Sequence, residues 1–225
     1  AILSQKSVLV DAITHDTGRE RESELEVLGV VGMIDRWCKQ APGILRDGEP
    51  QDTSVPFINV RSQYVPYALV GVISPWNFPL LLSLIDAVPA LLAGCAVIVK
   101  PSEVTPRFIE PLQETINAVP ELADVLAFAM GDGETGQAMI AQVDSIAFTG
   151  SVETGRKVGA SAAKYFIPAF LELGGKDAAI VLESADIDYA SSAILWGATS
   201  NAGQACQSIE RIYVQDTVYE AFVDT

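Results

Sequence analysis

The sequence predicts an α/β fold: a Rossmann-like parallel sheet with helices on both faces, followed by the start of a second α/β domain. Three observations predict it. Short, continuous apolar runs such as LVGVIS (69–74), CAVIVK (95–100) and SIAFTG (145–150) read as strands buried on both faces. Amphipathic stretches alternate with them, which is the pattern of helix-covered parallel sheets. The chain has 225 residues, 49% of them hydrophobic, enough for one large or two small domains with a core.

The elements follow in order. Residues 1–41 read as helical, with apolar Leu25, Leu28, Val31 and Ile34 recurring at three-residue spacing among charges. Pro42, Gly43, Gly48 and Pro50 end that pattern. A hairpin is expected over 55–68, where VPFINVRSQYVPYALV alternates partially. Strands are expected at 69–74, 95–100, 125–130, 145–150 and 167–174, with helices at 79–94, 105–119, 133–142 and 151–164 between them. After Gly174-Gly175, read as a hinge, come strand 177–183, helix 186–200 and strand 211–215. The domains so drawn are 1–54, 55–68, 69–175 and 176–225.

Composition excludes several partners. Twenty-nine acids against 14 Lys and Arg give a net charge of −15, which disfavours nucleic acid and anionic membranes. An anionic ligand would need local donors such as helix N-termini. Cys38, Cys95 and Cys206 lack metal-ligand spacing, and His15 is the single histidine, so no metal site is expected. Cys38 and Cys95 read as reduced core thiols, and the reduced set points to a cytoplasmic location. No secretory leader is legible, and the apolar stretch 79–99 is interrupted by Asp86, Pro89 and Gly94, so it reads as helix and strand. The chain begins without Met and ends inside a helical pattern, so a piece of a longer protein is expected.

Five motifs carry chemistry. In SPWNFP (74–79), Pro75 and Pro79 fix the backbone around Asn77, whose amide either donates to an oxyanion or closes an Asx turn. In KPSEVTP (100–106), Lys100 and Glu103 emerge at a strand's carboxyl end, where open parallel sheets bind ligands; they either hold ribose hydroxyls or form a solvated pair. In FTGSVETG (148–155), Gly150 permits close approach and Ser151 opens a helix, either binding an anion or simply capping. In LELGGK (171–176), Glu172 either stands against an apolar wall as a general base or faces outward. In NAGQACQ (201–207), Cys206 lies among small and polar residues where a thiol is reachable. A sixth segment, GDGETG (131–136), fits G-x-G-x-x-G but follows the third strand, and no acid stands at the right distance. It either touches phosphate or packs as a turn.

Together, in this order and spacing, the five motifs resemble the aldehyde dehydrogenase superfamily across essentially the whole chain. The resemblance implies Cys206 as nucleophile, Asn77 with the Cys206 backbone N–H as oxyanion hole, and Glu172 as general base. It implies Lys100 and Glu103 as adenosine-ribose contacts with Ser102 beside them, and Ser151 as pyrophosphate contact. Trp76, Thr149, Gly150 and Leu173 would line the cofactor cleft, and Gly133 in the GDGETG turn would lie near the adenine. The implied reaction is oxidation of a small-molecule aldehyde to a carboxylic acid through a thiohemiacetal and a thioester. Glu172 favours hydrolysis over transfer to coenzyme A, and Glu103 favours NAD, with NADP the alternative. The resemblance also implies that residues 55–68 serve oligomerisation, that residues 176–225 open a catalytic domain, and that the full-length protein is a homo-oligomer. The competing reading is an inactive nucleotide-binding or structural fragment of the same fold.

Overall fold

The computed structural model describes residues 1–225. The chain divides into two compact units, Ala1–Glu172 and Leu173–Thr225.

The first unit opens with two helices, not one. α1 (Lys6–Thr17) stops at Gly18, which takes a left-handed φ of 73° and donates its N–H to the Thr14 carbonyl. α2 (Glu20–Ile44) runs through Pro42 to Ile44, past the expected break at Pro42. Its buried stripe is Ser23, Glu26, Val27, Val30 and Met33, whereas the expected Leu25 and Leu28 are exposed. The stripe is rotated because Ser23 and Glu26 find buried polar partners, so two polar residues take the core side. The hairpin also lies earlier than expected: β1 (Gln51–Asp52) pairs antiparallel with β2 (Asn59–Val60).

A five-stranded sheet follows, in the order β5-β4-β3-β6-β7, with β3 (Leu69–Ile73), β4 (Ala96–Lys100), β5 (Leu126–Phe128), β6 (Ser145–Gly150) and β7 (Ala169–Leu173). β3 pairs parallel with both β4 and β6, and β4 pairs parallel with β5. The strand order reverses at β3, so a topological switch point lies between β3 and β6.

The crossovers are helical. α3 (Pro79–Leu84) and α4 (Ala87–Leu92) replace the single helix expected over 79–94, broken at Ile85-Asp86. α5 (Ile109–Asn117) and α6 (Pro120–Ala123) join β4 to β5, because Pro120 cannot continue α5 and starts a new turn. α7 (Gly133–Ile140) and α8 (Val152–Tyr165) flank β6 in sequence.

Strand periodicity sorts side chains to the two faces. Val70, Val72, Val97, Val99 and Ala147 join a core with Leu9, Val27, Leu80, Leu84, Phe108 and Leu112. The alternate residues face the other way. There, a Cβ on Gly71 would come within 2.8 Å of the Ile146 Cδ1 atom and 3.2 Å of Val143, so the glycine lets both side chains pack close to the strand.

The second unit holds β8 (Asp177–Val181) paired parallel with β9 (Ile209–Val214), together with α9 (Ile187–Thr199) and α10 (Tyr219–Val223). Asp186 caps α9, its carboxylate accepting from the Tyr189 N–H at 3.1 Å. No helix is long and apolar enough to cross a membrane.

Candidate functional site

The parallel register sets Ile73 beside Lys100 on one side and beside Phe148 on the other. These three mark the carboxyl edge of the sheet at the switch point. A cleft of about 340 Å³ opens there, with Ile73, Ser74, Lys100 and Phe148 along its floor and α7 and α8 along its walls. Its size and place fit the crevice where open α/β sheets bind ligands.

Four of the sequence-predicted cofactor residues meet in this cleft: Lys100, Ser102, Glu103 and Gly133. The Lys100 ammonium is buried and lies 2.7 Å from Glu103 Oε2. The Glu103 carboxylate is exposed toward solvent, and the hydrogen bond and charge of Lys100 hold it below the usual carboxylate range. The Asp132 charge pushes the other way, so the GDGETG turn lies within electrostatic reach of the KPSEVTP turn. Asp132 caps α7, its carboxylate accepting from the Glu134 N–H at 2.9 Å. An acidic cap already holds the position where a phosphate would sit.

The α8 N-terminus differs. Ser151, a neutral cap, accepts from the Thr154 N–H at 3.2 Å. Ser151 is exposed, and Thr149 and Gly150 before it are half-buried. A Cβ on Gly150 would lie 2.6 Å from the tip of the Phe148 ring, so this glycine leaves room for the ring of its own strand neighbour.

The SPWNFP turn follows β3. The Trp76 carbonyl accepts from Thr105 Oγ1 at 3.1 Å, while the Trp76 ring is exposed. Asn77 is half-buried, one residue before Phe78. Glu172 is exposed on β7, an edge strand whose Phe170 and Leu171 are themselves exposed, so residues of β7 supply no apolar wall around it. Burial first, and then the charge of Glu172, raise the carboxyl of Asp86 at the α3–α4 break. Glu172 is therefore within electrostatic reach of the helix pair that begins just after Asn77.

In the second unit, Leu173 is half-buried and Cys206 is exposed. Asn201, Ala202 and Gly203 form a left-handed run with φ of 55°, 55° and 72°. Two of the three carry a Cβ, so the run holds backbone strain. Buried Asn201 donates from Nδ2 to the Gln204 carbonyl at 3.0 Å. The Ser208 N–H then donates to the Ala205 carbonyl at 3.1 Å, and Ser208 Oγ accepts from the Ala205 N–H at 3.3 Å. Cys206 thus sits at the second position of a tight turn, pinned at both ends with its thiol open to solvent. Cys95 is buried as expected, whereas Cys38 is exposed and lines a separate apolar cavity. Cys38 is not the core thiol expected: it lies on the same side of α2 as Val31 and Ile34, but near the helix end, at an open cavity that leaves its side chain exposed.

Sequence reasoning missed part of the cleft wall. Thr154, Lys157 and Ser161 line it from α8, and Gln137 from α7. The spacing of the α8 set places all three on one helical face, a signal that was legible.

A parallel sheet flanked by helices, with a crevice at its switch point, defines a Rossmann-like α/β fold. The chain belongs to the Aldehyde dehydrogenase family, a family of oxidoreductases whose model matches residues 1–225. It is 41% identical over 228 residues to 4,4'-diapolycopene aldehyde oxidase of Methylomonas sp, covering 99% of this chain and 43% of that protein. The structure of PutA from Anabaena variabilis is 58% identical with a TM-score of 0.96, over 99% of this chain and 47% of that one. That of 3,6-anhydro-L-galactose dehydrogenase, in complex with NAP, is 30% identical with a TM-score of 0.92, over 99% and 47%. The chain therefore spans less than half the length of these relatives.

Proposed function

We propose that the full-length protein oxidises an aldehyde to a carboxylic acid with NAD as cofactor and Cys206 as nucleophile. The observation that carries this reading is the Lys100–Glu103 pair at the mouth of the switch-point cleft, on the turn whose Thr105 holds the Trp76 carbonyl. The donor set fits a dinucleotide. Glu103 offers an exposed carboxylate to ribose hydroxyls, the fixed Lys100 donates beside it, and Ser102 and Gly133 complete that end. The Ser151 cap opens a 14-residue helix toward the pyrophosphate. Trp76, Thr149, Gly150 and Leu173 border the same ligand in this reading.

The chain's own residues do the following. The Cys206 thiolate adds to the carbonyl carbon, forming a C–S bond and placing the carbonyl electron pair on oxygen. The Asn77 amide and the Cys206 backbone N–H donate to that oxyanion. NAD, when bound, supplies the hydride acceptor that turns the adduct into a thioester. Glu172, exposed and reachable by water, takes a proton from the water that attacks the thioester, and the C–S bond breaks to release the acid.

Glu103 favours NAD, since a 2′-phosphate would meet its carboxylate. The hairpin exposes Phe57, Ile58 and Val60, a surface suited to a second copy of the chain, so the protein works as a homo-oligomer. Free thiols at Cys38, Cys95 and Cys206 fit a reducing, cytoplasmic setting. The test is to supply the full-length protein with a panel of aldehydes and NAD. NADH with a stoichiometric carboxylic acid is expected, and Cys206→Ser abolishes both. Cofactor binding without turnover on any aldehyde would instead support the inactive, nucleotide-binding reading.

A further inference from the structure

Glu26 is the most deeply buried carboxylate that the mechanism does not use. It sits on α2, with its side chain 1% exposed, more than fifty residues before the turn it touches. Its Oε1 accepts from the N–H groups of Leu80 at 2.8 Å and Leu81 at 2.9 Å, two of the unpaired donors at the start of α3. Its Oε2 accepts from Arg19 Nη2 at 2.9 Å. The Arg19 side chain is 10% exposed, and its guanidinium lies 4.8 Å from the centre of the Phe78 ring. Arg19 is itself held in place: it precedes α2 as N-cap, and its carbonyl accepts from the Ser23 N–H at 3.1 Å.

One residue lies between these anchors and the next. Arg19 and Glu26 grip Phe78, Leu80 and Leu81, and Thr105 grips the Trp76 carbonyl. Asn77 stands between them. Behind it, buried Ser74 and Ser83 share a hydrogen bond of 2.7 Å that ties the end of β3 to α3. A surface turn carrying only a structural asparagine needs no such bracket. Burying a carboxylate and a guanidinium is costly, and such pairs are poor stability devices. Here burial outweighs the stabilising bonds and pushes the Glu26 carboxyl upward. A donor that must meet a developing oxyanion, by contrast, does need its backbone fixed within a fraction of an ångström.

We propose that Glu26 and Arg19 are positioning residues for the oxyanion donor Asn77, fixing its turn from the N-terminal helix α2. The proposal rests on the assignment of Asn77 made above. It gives α2 and its N-cap, otherwise far from the chemistry in sequence, a direct hold on the rate of the acylation step.

The test uses the full-length enzyme with NAD and its aldehyde. Glu26→Gln keeps a carbonyl oxygen for the Leu80 and Leu81 N–H groups but removes the charge that fixes Arg19. Arg19→Met removes the guanidinium from both Phe78 and Glu26. Each variant is expected to lose about tenfold or more in kcat, with the dissociation constant for NAD within about twofold of wild type. Combined with Asn77→Ala, either is expected to be no slower than Asn77→Ala alone, since a misplaced donor that has been removed costs nothing further. Arg19→Lys, which restores the charge, is expected to recover part of kcat. Losses that multiply with Asn77→Ala, or wild-type kcat in both Glu26→Gln and Arg19→Met, overturn the proposal. Wild-type turnover in Asn77→Ala would instead overturn the assignment of Asn77 itself. Because Glu26→Gln keeps both backbone bonds at α3, it stays informative if Arg19→Met fails to fold.

Discussion

Lys100 Nζ lies 2.7 Å from Glu103 Oε2, with the lysine side chain 6% exposed and the glutamate 56% exposed. The lysine is fixed by the sheet, and the carboxylate it holds is presented to the cleft. A ribose edge is a good match for such a surface, and a second phosphate is a poor one. Glu103→Gln is therefore expected to weaken NAD binding about tenfold and to bring NADP closer to it. Fluorescence titration of the two cofactors measures this. An unchanged preference would remove Glu103 from the site.

The same pair has a pH signature. Lys100 depresses the Glu103 pKa, through its hydrogen bond first and its charge second. For a carboxylate depressed in the folded state, the contribution to stability is full above the unfolded pKa of about 4.3 and is lost as pH falls through the lower folded value. The melting temperature of wild type minus that of Glu103→Gln is thus expected to be constant near neutrality and to shrink toward zero in acid. A difference that grows in acid contradicts the pairing. The effect is small, since the carboxylate is largely exposed.

Removing the Asn77 amide should slow acylation without touching cofactor binding. An oxyanion donor contributes about 3 kcal/mol, so Asn77→Ala is expected to lose a hundredfold or more in kcat with NAD affinity retained. Stopped-flow measurement of NADH release checks it.

Gly131 offers a test of the fold around the cleft. Its φ is +149°, and a Cβ there would lie 2.0 Å from Thr135 Oγ1. Gly131→Ala is expected to destabilise the protein by about 1–3 kcal/mol, read as a drop in melting temperature, and to loosen the α7 cap. An unshifted melting curve would show that the turn relaxes freely.

Thiol labelling separates the three cysteines. Cys206 and Cys38 are exposed and Cys95 is buried. Iodoacetamide is expected to modify Cys206 fastest, Cys38 more slowly and Cys95 last. Activity is expected to fall in step with Cys206 alone. Loss of activity that follows Cys38 would move the nucleophile.

The sheet was readable because its strands are short apolar runs, each closed by a glycine, proline or polar residue, as in LVGVIS before Pro75 and SIAFTG before Ser151. The breaks at Gly18 and at Ile85-Asp86 were harder. A helix that stops for two residues and restarts nearly keeps its apolar spacing, so periodicity alone joins the two parts. The α2 stripe was misplaced for a tertiary reason: Glu26 is polar in sequence and buried only because Arg19, Leu80 and Leu81 satisfy it. Lys100, Ser102, Glu103 and Gly133 were legible as strand-end and turn residues, and they share one cleft. Thr154, Lys157 and Ser161 share one face of α8, but polar side chains at that spacing read equally as the solvated face of an amphipathic helix.

The most direct measurement is to trap the acyl enzyme. The full-length protein carrying Glu172→Gln is mixed with NAD and an aldehyde, quenched, digested and mapped by mass spectrometry. The expected result is one equivalent of NADH with the acyl mass on the peptide containing Cys206, persisting because deacylation is slow. An acyl group on another residue, or NADH formed with no covalent adduct at any time, would contradict Cys206 as the nucleophile.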